Sequence, residues 1–428
     1  MRKIIYGTAD FEKDLQLIYD RPAFPEEAEI AAQNIIREIR LRGDAALQEF
    51  ALKFDRAELT PADFLMSKEE MQKIASALPA SDKKAIRQAL KQITAFAKAT
   101  KPKNWMKRVR PGVRLGEKFT PMERVGVYIP GGTAPLVSTV IHTAGIAKAA
   151  GVKEIVAATP PGNTHPAVMY AMLQAGVTEV YRLGGVYGVA ALAIGTESVR
   201  KVEKICGPGN AYVTAAKKLL YGEVGIDLVA GPSEILVIAD ENADPAFVAA
   251  DMLSQAEHGS GLEHAVMVTT SKPMIDAVEA ELRRQRDMLK RQETIDRVLE
   301  NGVFMIYAPT LEIAAEIAGN YAPEHLEIQT AEPEKVARMI KAAGAIFLGK
   351  WTPEPIGDFC AGPSHVLPTA GSAKRFNGLD TYGFYRRTSL VEYSEKAMLR
   401  EAVIAETFGR MEMLDGHGKS AMIRVKKF

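Results

Sequence analysis

Four of this chain's seven histidines (His142, His165, His258, His264, His325, His365 and His417) stand in loop-like or helix-end contexts beside carboxylates or small residues: QAEHG, PEHL, PSH and DGHG. In the helix expected to end at QAEHG, Gln255 and His258 are three residues apart and share a face, with Asp251 one turn below Gln255. An amide oxygen and an imidazole nitrogen so placed can hold a metal ion; a helix-terminal His resting on last-turn carbonyls gives the same spacing without one. Glu324 and His325 are adjacent at the start of an expected strand, just after Pro323, which disfavours helix. An acid beside an imidazole offers two proton acceptors of unlike reference pKa, suited to a reaction that deprotonates both an alcohol and a water. A salt-bridged surface pair is the plainer alternative. Asp358, in the Gly/Pro-rich EPIGDFCAGPSH, can present a carboxylate to a divalent ion or merely cap backbone groups. Cys206 and Cys360 can in principle carry a thiohemiacetal, yet neither has a histidine beside it, so buried, inert thiols are expected.

Nucleotide fingerprints fail in their usual form. GPGNAY (207–212) has Tyr212 where a third glycine is required, GGVYG (184–188) does not match, and GHGKS lacks the first glycine of a phosphate-binding loop because Met413 stands there. What remains is a set of glycine-rich strand-to-helix turns, IPGGT, LGG and CGPGN. Such turns bring backbone N–H groups and helix N-termini to the carboxyl edge of a parallel sheet, where phosphates bind. Equally, Gly-Pro turns close short βα loops with no ligand at all.

The elements that must position these residues alternate. The first hundred residues read as helices, with a break at Gly43-Asp44 and Ser67 and Ser81 as N-caps. From Arg124 onward, the runs 125–129, 154–159, 179–183, 204–206 and 227–230 alternate with Ala-rich helical stretches. A second series follows at 235–240, 265–270, 303–308, 325–330 and 345–349. Strand and helix in strict turn mean βαβ units with parallel sheets, so the fold class is α/β with two such units and a cleft between them. From about Asn377 the pattern turns helical and charged again.

Composition narrows the partners. Lys and Arg number 54 against 53 Asp and Glu, a net charge of +1, which gives no global attraction to nucleic acid or to an anionic membrane, so a small-molecule ligand fits better. Two cysteines that form no Cys-x-x-Cys pair point to a reducing cytoplasm. The opening MRKIIYGTADFEKDL meets Asp10 and Glu12 before any long apolar run, so neither a signal peptide nor a membrane span is expected.

Taken together, ERVGVYIPGGTAPLVSTV, GTESVRKVEKICGPGNAYVTAAK, DLVAGPSEILVIAD, DMLSQAEHG, YAPEHLEIQT, GAIFLG, GDFCAGPSHVLPT and MLDGHGKSAMIRV resemble the histidinol dehydrogenase family, in family order from about residue 20 to the C-terminus. The resemblance implies two incomplete Rossmann-like parallel-sheet domains in an intertwined homodimer: a helical arm over 1–22, a zinc-binding catalytic domain from 23–124 plus 236–376, an NAD-binding domain over 125–235, and a dimerisation tail over 377–428. It implies zinc held by Gln255, His258, Asp358 and His417, the last reaching the partner's site. Substrate contacts then fall to Ser233, His365 and Glu412 together with His325 and the metal ligands, acid/base work to Glu324 and His325, and NAD contacts to Tyr128, Tyr187 and Asn210. At GGVYG this chain departs from the family, with Tyr187 where Gln is common. The implied reaction is oxidation of an amino alcohol, histidinol, through its aldehyde to a carboxylate with two NAD. Related alcohols such as sulfonated diols are substrates of paralogues. Two readings of other classes compete: a metal-dependent hydrolase or lyase, since the same zinc site would activate water, and a non-catalytic metabolite-binding protein.

Overall fold

Strand and helix alternate as the sequence pattern requires, and the computed structural model describes them over residues 1–21, 25–132 and 135–425. The chain divides into two units, Met1–Thr100 with Glu123–Gly383, and Lys101–Met122 with Phe384–Phe428.

The larger unit holds two six-stranded sheets. The first runs in the order Arg2–Ile5, Val303–Tyr307, His264–Thr269, Glu234–Ala239, His325–Gln329 and Ala345–Leu348, parallel throughout. Ile235, Val237 and Ala239 enter one apolar cluster while Leu236 and Ile238 enter another. A strand buried on both faces shows no polar alternation, which is why ILVIAD reads as an unbroken apolar run. The second sheet runs in the order Leu65–Met66, Glu179–Tyr181, Glu154–Ala158, Arg124–Tyr128, Lys204–Cys206 and Gly225–Ile226, parallel except for its antiparallel first strand. The strand expected at 227–230 ends instead at Ile226, because the Asp227 carboxylate accepts from the backbone N–H groups of Gly207 and Leu228, both at 2.7 Å, and turns the chain out of the ladder.

Three expectations about segments change. Residues 1–22 are not simply a helical arm: Arg2–Ile5 is an edge strand of the first sheet, followed by the helix Phe11–Tyr19. The helices of 23–124 also pack mainly away from 236–376, although Ala80–Ala99 meets Gly357–Ala361. Glu26–Arg42 lies on Gly185–Ile194 and Ala211–Leu220, Lys68–Ser76 on Pro166–Ala175, and Ala80–Ala99 on Val137–Ala150, all belonging to the second sheet's layers. Amphipathic periodicity names the face a helix buries but not what it buries against. Ser67 caps its helix, its hydroxyl accepting from Glu70 N–H at 3.1 Å, whereas Ser81 lies inside the helix Ala80–Ala99 and bonds Asp82.

The smaller unit corrects the expectation of a helical tail from 377. Its strand Tyr385–Tyr393 pairs antiparallel with Val113–Pro121, which pairs with Trp105–Arg110, before the helices Glu395–Met411 and Asp415–Met422. Trp105–Arg110 and Tyr385–Tyr393 are largely exposed and rich in charge, so no buried face marks them in the sequence. No helix among the described residues is long and apolar enough to cross a membrane.

One ion pair fixes strand order locally. Arg124, its side chain 6% exposed, donates to both oxygens of Glu179 at 2.6 and 2.7 Å and to Glu154 at 2.6 Å. The guanidinium holds the Glu179 carboxyl below its ordinary value of 4.5. A depressed folded-state pKa contributes stability above the unfolded value that is lost as pH falls through the folded one. The melting-temperature difference between wild type and Glu179→Gln is therefore expected to be full at neutral pH and to shrink in acid. A difference that stays constant down to pH ~3 would contradict this linkage.

Candidate active site

The acid and the imidazole singled out by adjacency sit at the amino edge of the first sheet, where Ile235 and His325 are register partners on neighbouring strands. That pairing sets Ser233 and Glu234 beside Glu324. The Glu324 carboxylate accepts through Oε2 from the Ser233 hydroxyl at 2.6 Å and from the Glu234 N–H at 3.0 Å. His325 is buried, with Nδ1 3.1 Å from the Glu234 carbonyl. A carbonyl can only accept, so Nδ1 carries the proton and Nε2 is left as the lone-pair nitrogen of the neutral ring. Among the described residues, no hydrogen-bond partner satisfies Nε2. The approach to this pair is bent: Ala322, fully buried, caps the helix Leu311–Tyr321 at φ +50°, a left-handed conformation that costs a non-glycine residue energy and that Pro323 prevents from relaxing back to helix.

Nε2 of His325 faces two further carboxylates. Asp358 Oδ1 lies 3.4 Å away and Glu354 Oε1 3.8 Å away. These two acids are four residues apart on a helical stretch, Glu354–Ile356 running into a wide turn over Gly357–Ala361, so one face carries both. The loop expected around Asp358 is thus helical. Glu354 is held by the Ser254 hydroxyl at 3.1 Å, and its backbone N–H donates to Glu327 at 2.7 Å. His325, Glu354 and Asp358 place donor atoms within 4.8 Å of one another. Burial opposes a charge on His325, but the carboxylates of Glu324, Asp358 and Glu354 outweigh it and push its pKa up to about 10. Burial likewise raises Glu324 and lifts Glu354 to about 8, whereas for Asp358 the nearby imidazole overcomes burial and lowers the value.

Gln255 ends the helix Pro245–Ala256, whose start is fixed by Asp244 capping Ala246 N–H at 2.9 Å. Its amide nitrogen lies 3.0 Å from Ser233 Oγ and 3.2 Å from His258 Nδ1, so it joins the expected metal pair to the acid/base pair through one serine. The amide oxygen is buried and has no hydrogen-bond partner among the described residues. His258 is exposed, its Nδ1 also 3.2 Å from the Gln255 carbonyl. On the other side, the His365 N–H donates to His142 Nδ1 at 3.2 Å, and the two rings lie 4.5 Å apart. Burial lowers both pKa values, that of His142 strongly.

Residues at the carboxyl edge of the second sheet form a separate group. Tyr128 ends its strand, and its hydroxyl accepts from Gly185 N–H at 2.9 Å. Asn210 caps the helix Ala211–Leu220 by accepting from Val213 N–H at 3.1 Å. Tyr187 is buried and donates its hydroxyl to Asp55. Cys206 is buried, and burial pushes its thiol up to about 12, the inert state expected, whereas Cys360 is only half-buried, against the burial expected of it.

A family model for histidinol dehydrogenase matches residues 21–425. The histidinol dehydrogenase of Dechloromonas aromatica is 42% identical, covering all of this chain and 99% of its own length, and that of Geobacillus kaustophilus is 42% identical over 94% of this chain and 95% of its own. The crystal structure of histidinol dehydrogenase from Elizabethkingia anophelis superposes with a TM-score of 0.94 at 33% identity, covering all of this chain and 98% of that one. The chain belongs to the histidinol dehydrogenase family. It is therefore an NAD-dependent oxidoreductase, and a hydrolase, lyase or binding protein is set aside.

Among the residues that the family resemblance singled out, the larger unit joins Ser233, Gln255, His258, Glu324, His325 and Asp358 by one continuous run of contacts. Glu412 and His417 lie in the smaller unit, at the end of the helix Glu395–Met411 and within Asp415–Met422. Glu354 and His142 were missed. Glu354 carried a usable signal in its four-residue spacing from Asp358, obscured by Pro355; His142 carried none, being embedded in the apolar helix Val137–Ala150.

Proposed function

We propose that the chain oxidises L-histidinol through L-histidinal to L-histidine at a single site, in two hydride transfers, as a cytoplasmic homodimer of two incomplete Rossmann-like units per subunit. The observation that carries this is His325: one ring nitrogen is anchored on a carbonyl, the other is buried beside Asp358 with no hydrogen-bond partner among the described residues, and Glu324 lies beside it. The residues fit the family's groups. The orphaned Gln255 oxygen is what an ion would satisfy, and the His258 Nδ1 contact to a carbonyl is the usual companion of ligation through the other nitrogen. At Gly132 and Gly185 an added Cβ would meet no described atom within 4 Å, leaving backbone open to a ligand. Gln255, His258, Asp358 and the partner subunit's His417 would hold the zinc, and Tyr128, Tyr187 and Asn210 would line the NAD site. The hydroxyl of Tyr187 is committed to Asp55, so only its ring and backbone remain for the cofactor. Dimerisation accords with exposed Ile404, Phe408, Met411 and Leu414 in the smaller unit, too many apolar side chains for a free surface.

When bound, NAD supplies the hydride acceptor and zinc an anchor for the substrate's amine and ring. Histidinol, touched also by Ser233, His365 and Glu412, loses its hydroxyl proton to His325 Nε2 as the carbinol hydride departs. A cation held by Asp358 would offset the carboxylate charge that raises the His325 pKa, so that the imidazole could accept. The aldehyde is then hydrated: Glu324, its Oε2 pinned by Ser233 and Glu234, takes a proton from water as the oxygen adds to the carbonyl carbon, and the protonated His325 returns its proton to the former carbonyl oxygen and is again free to accept. The hydrate loses its second hydride and gives a proton to His325, yielding the carboxylic acid. Two NADH per histidinol are expected from the zinc-loaded protein, with activity lost on chelation and restored by zinc. One NADH per substrate would reduce the reading to a simple alcohol dehydrogenase, and none would remove histidinol as substrate.

A further inference from the structure

The turn Gly207–Asn210 leaves the strand Lys204–Cys206 beside the end of Arg124–Tyr128 and leads into the helix Ala211–Leu220. Gly207 adopts φ +119°, and a Cβ there would lie 2.3 Å from the Tyr128 carbonyl oxygen, so only glycine fits. Both of its backbone polar groups are gripped by side chains. Its N–H donates to Asp227 Oδ2 at 2.7 Å, and its carbonyl accepts from Lys217 Nζ at 2.9 Å. Lys217 and Asp227 also pair directly, with side chains 2% and 0% exposed. The two come from different elements, the helix that follows the turn and the loop beyond the strand Gly225–Ile226.

A buried ion pair is a poor way to gain stability, since apolar residues of similar volume usually do as well. What it does supply is geometry: a lysine and an aspartate fix one residue's N–H and C=O together and so set the height and tilt of the turn above the sheet. We infer that Lys217 and Asp227 are positioning residues for the dinucleotide, acting through Gly207 to hold the Gly207–Asn210 turn open at the carboxyl edge where a pyrophosphate would lie. Lys217 is not itself a phosphate ligand, because its ammonium is buried and spent on Gly207 and Asp227. This rests on the NAD reading above.

Removing one partner would strand a buried charge, so the test uses Lys217→Met/Asp227→Leu, which removes both. A second variant, Lys217→Met/Asp227→Asn, keeps an acceptor for the Gly207 N–H and carries the test should the first not fold. NADH binding is read by nucleotide fluorescence, histidinol binding by calorimetry, and zinc by metal analysis. The expected result is an NADH dissociation constant raised about tenfold or more, equivalent to ~1.4 kcal/mol, with less weakening in the Asn variant, and histidinol affinity and zinc content unchanged. A smaller change in NADH affinity, or equal weakening of NADH and histidinol, overturns the inference. Failure of the wild-type protein to bind NADH would instead overturn the cofactor reading.

Discussion

Replacing His325 with Asn is expected to lower kcat for histidinol oxidation by about 10²–10⁴-fold, the usual contribution of a positioned general base, while zinc content and NADH affinity stay as in the wild type. Asparagine can still donate to the Glu234 carbonyl that now holds Nδ1, so the strand end keeps its anchor. What disappears is the nitrogen that faces Asp358 and Glu354. Both oxidations route a proton to that atom, so both should slow together. Residual turnover should rise with pH as hydroxide replaces the missing base. Steady-state rates within a few-fold of wild type would mean that the proton leaves by another group.

Glu324→Gln separates the two halves. The Glu324 carboxylate is held through one oxygen by Ser233 and Glu234, leaving the other to take a proton from water. An amide of the same shape keeps the packing and loses the base. Oxidation of histidinal supplied directly should fall by about 10²-fold or more, while the NADH-driven reduction of histidinal to histidinol, which needs no water, should change far less. The NADH yield per histidinol should drop from two toward one when an aldehyde-trapping reagent is present. Equal loss in the two directions would assign Glu324 to the support of His325 rather than to water.

How much of this was legible in the sequence depends on whether the signal was local. Glu324 and His325 are neighbours, and Gln255 and His258 share a helix end, so both pairs could be read directly. The run ILVIAD was readable as a strand, and the strand Glu234–Ala239, buried on both faces, fixes the register that aligns Ser233 with Glu324. Non-local facts stayed hidden. Nothing in VSTVIHTAGIAKAA hints that His142 will accept a hydrogen bond from His365, 223 residues away. The helices between Glu26 and Ala99 show which face they bury but not that the second sheet's layers receive it. The antiparallel ladder of Tyr385–Tyr393 on Val113–Pro121 was invisible because largely exposed, charge-rich strands lack the alternation that burial imposes.

The ligand set can be tested by anomalous diffraction at the zinc absorption edge from crystals of the zinc-loaded protein. The expected result is one strong peak about 2.0–2.2 Å from Gln255, His258, Asp358 and the partner subunit's His417. A peak enclosed by His325, Glu354 and Asp358, with the Gln255 oxygen left out, would contradict it, because the imidazole assigned to the proton would then be holding the metal.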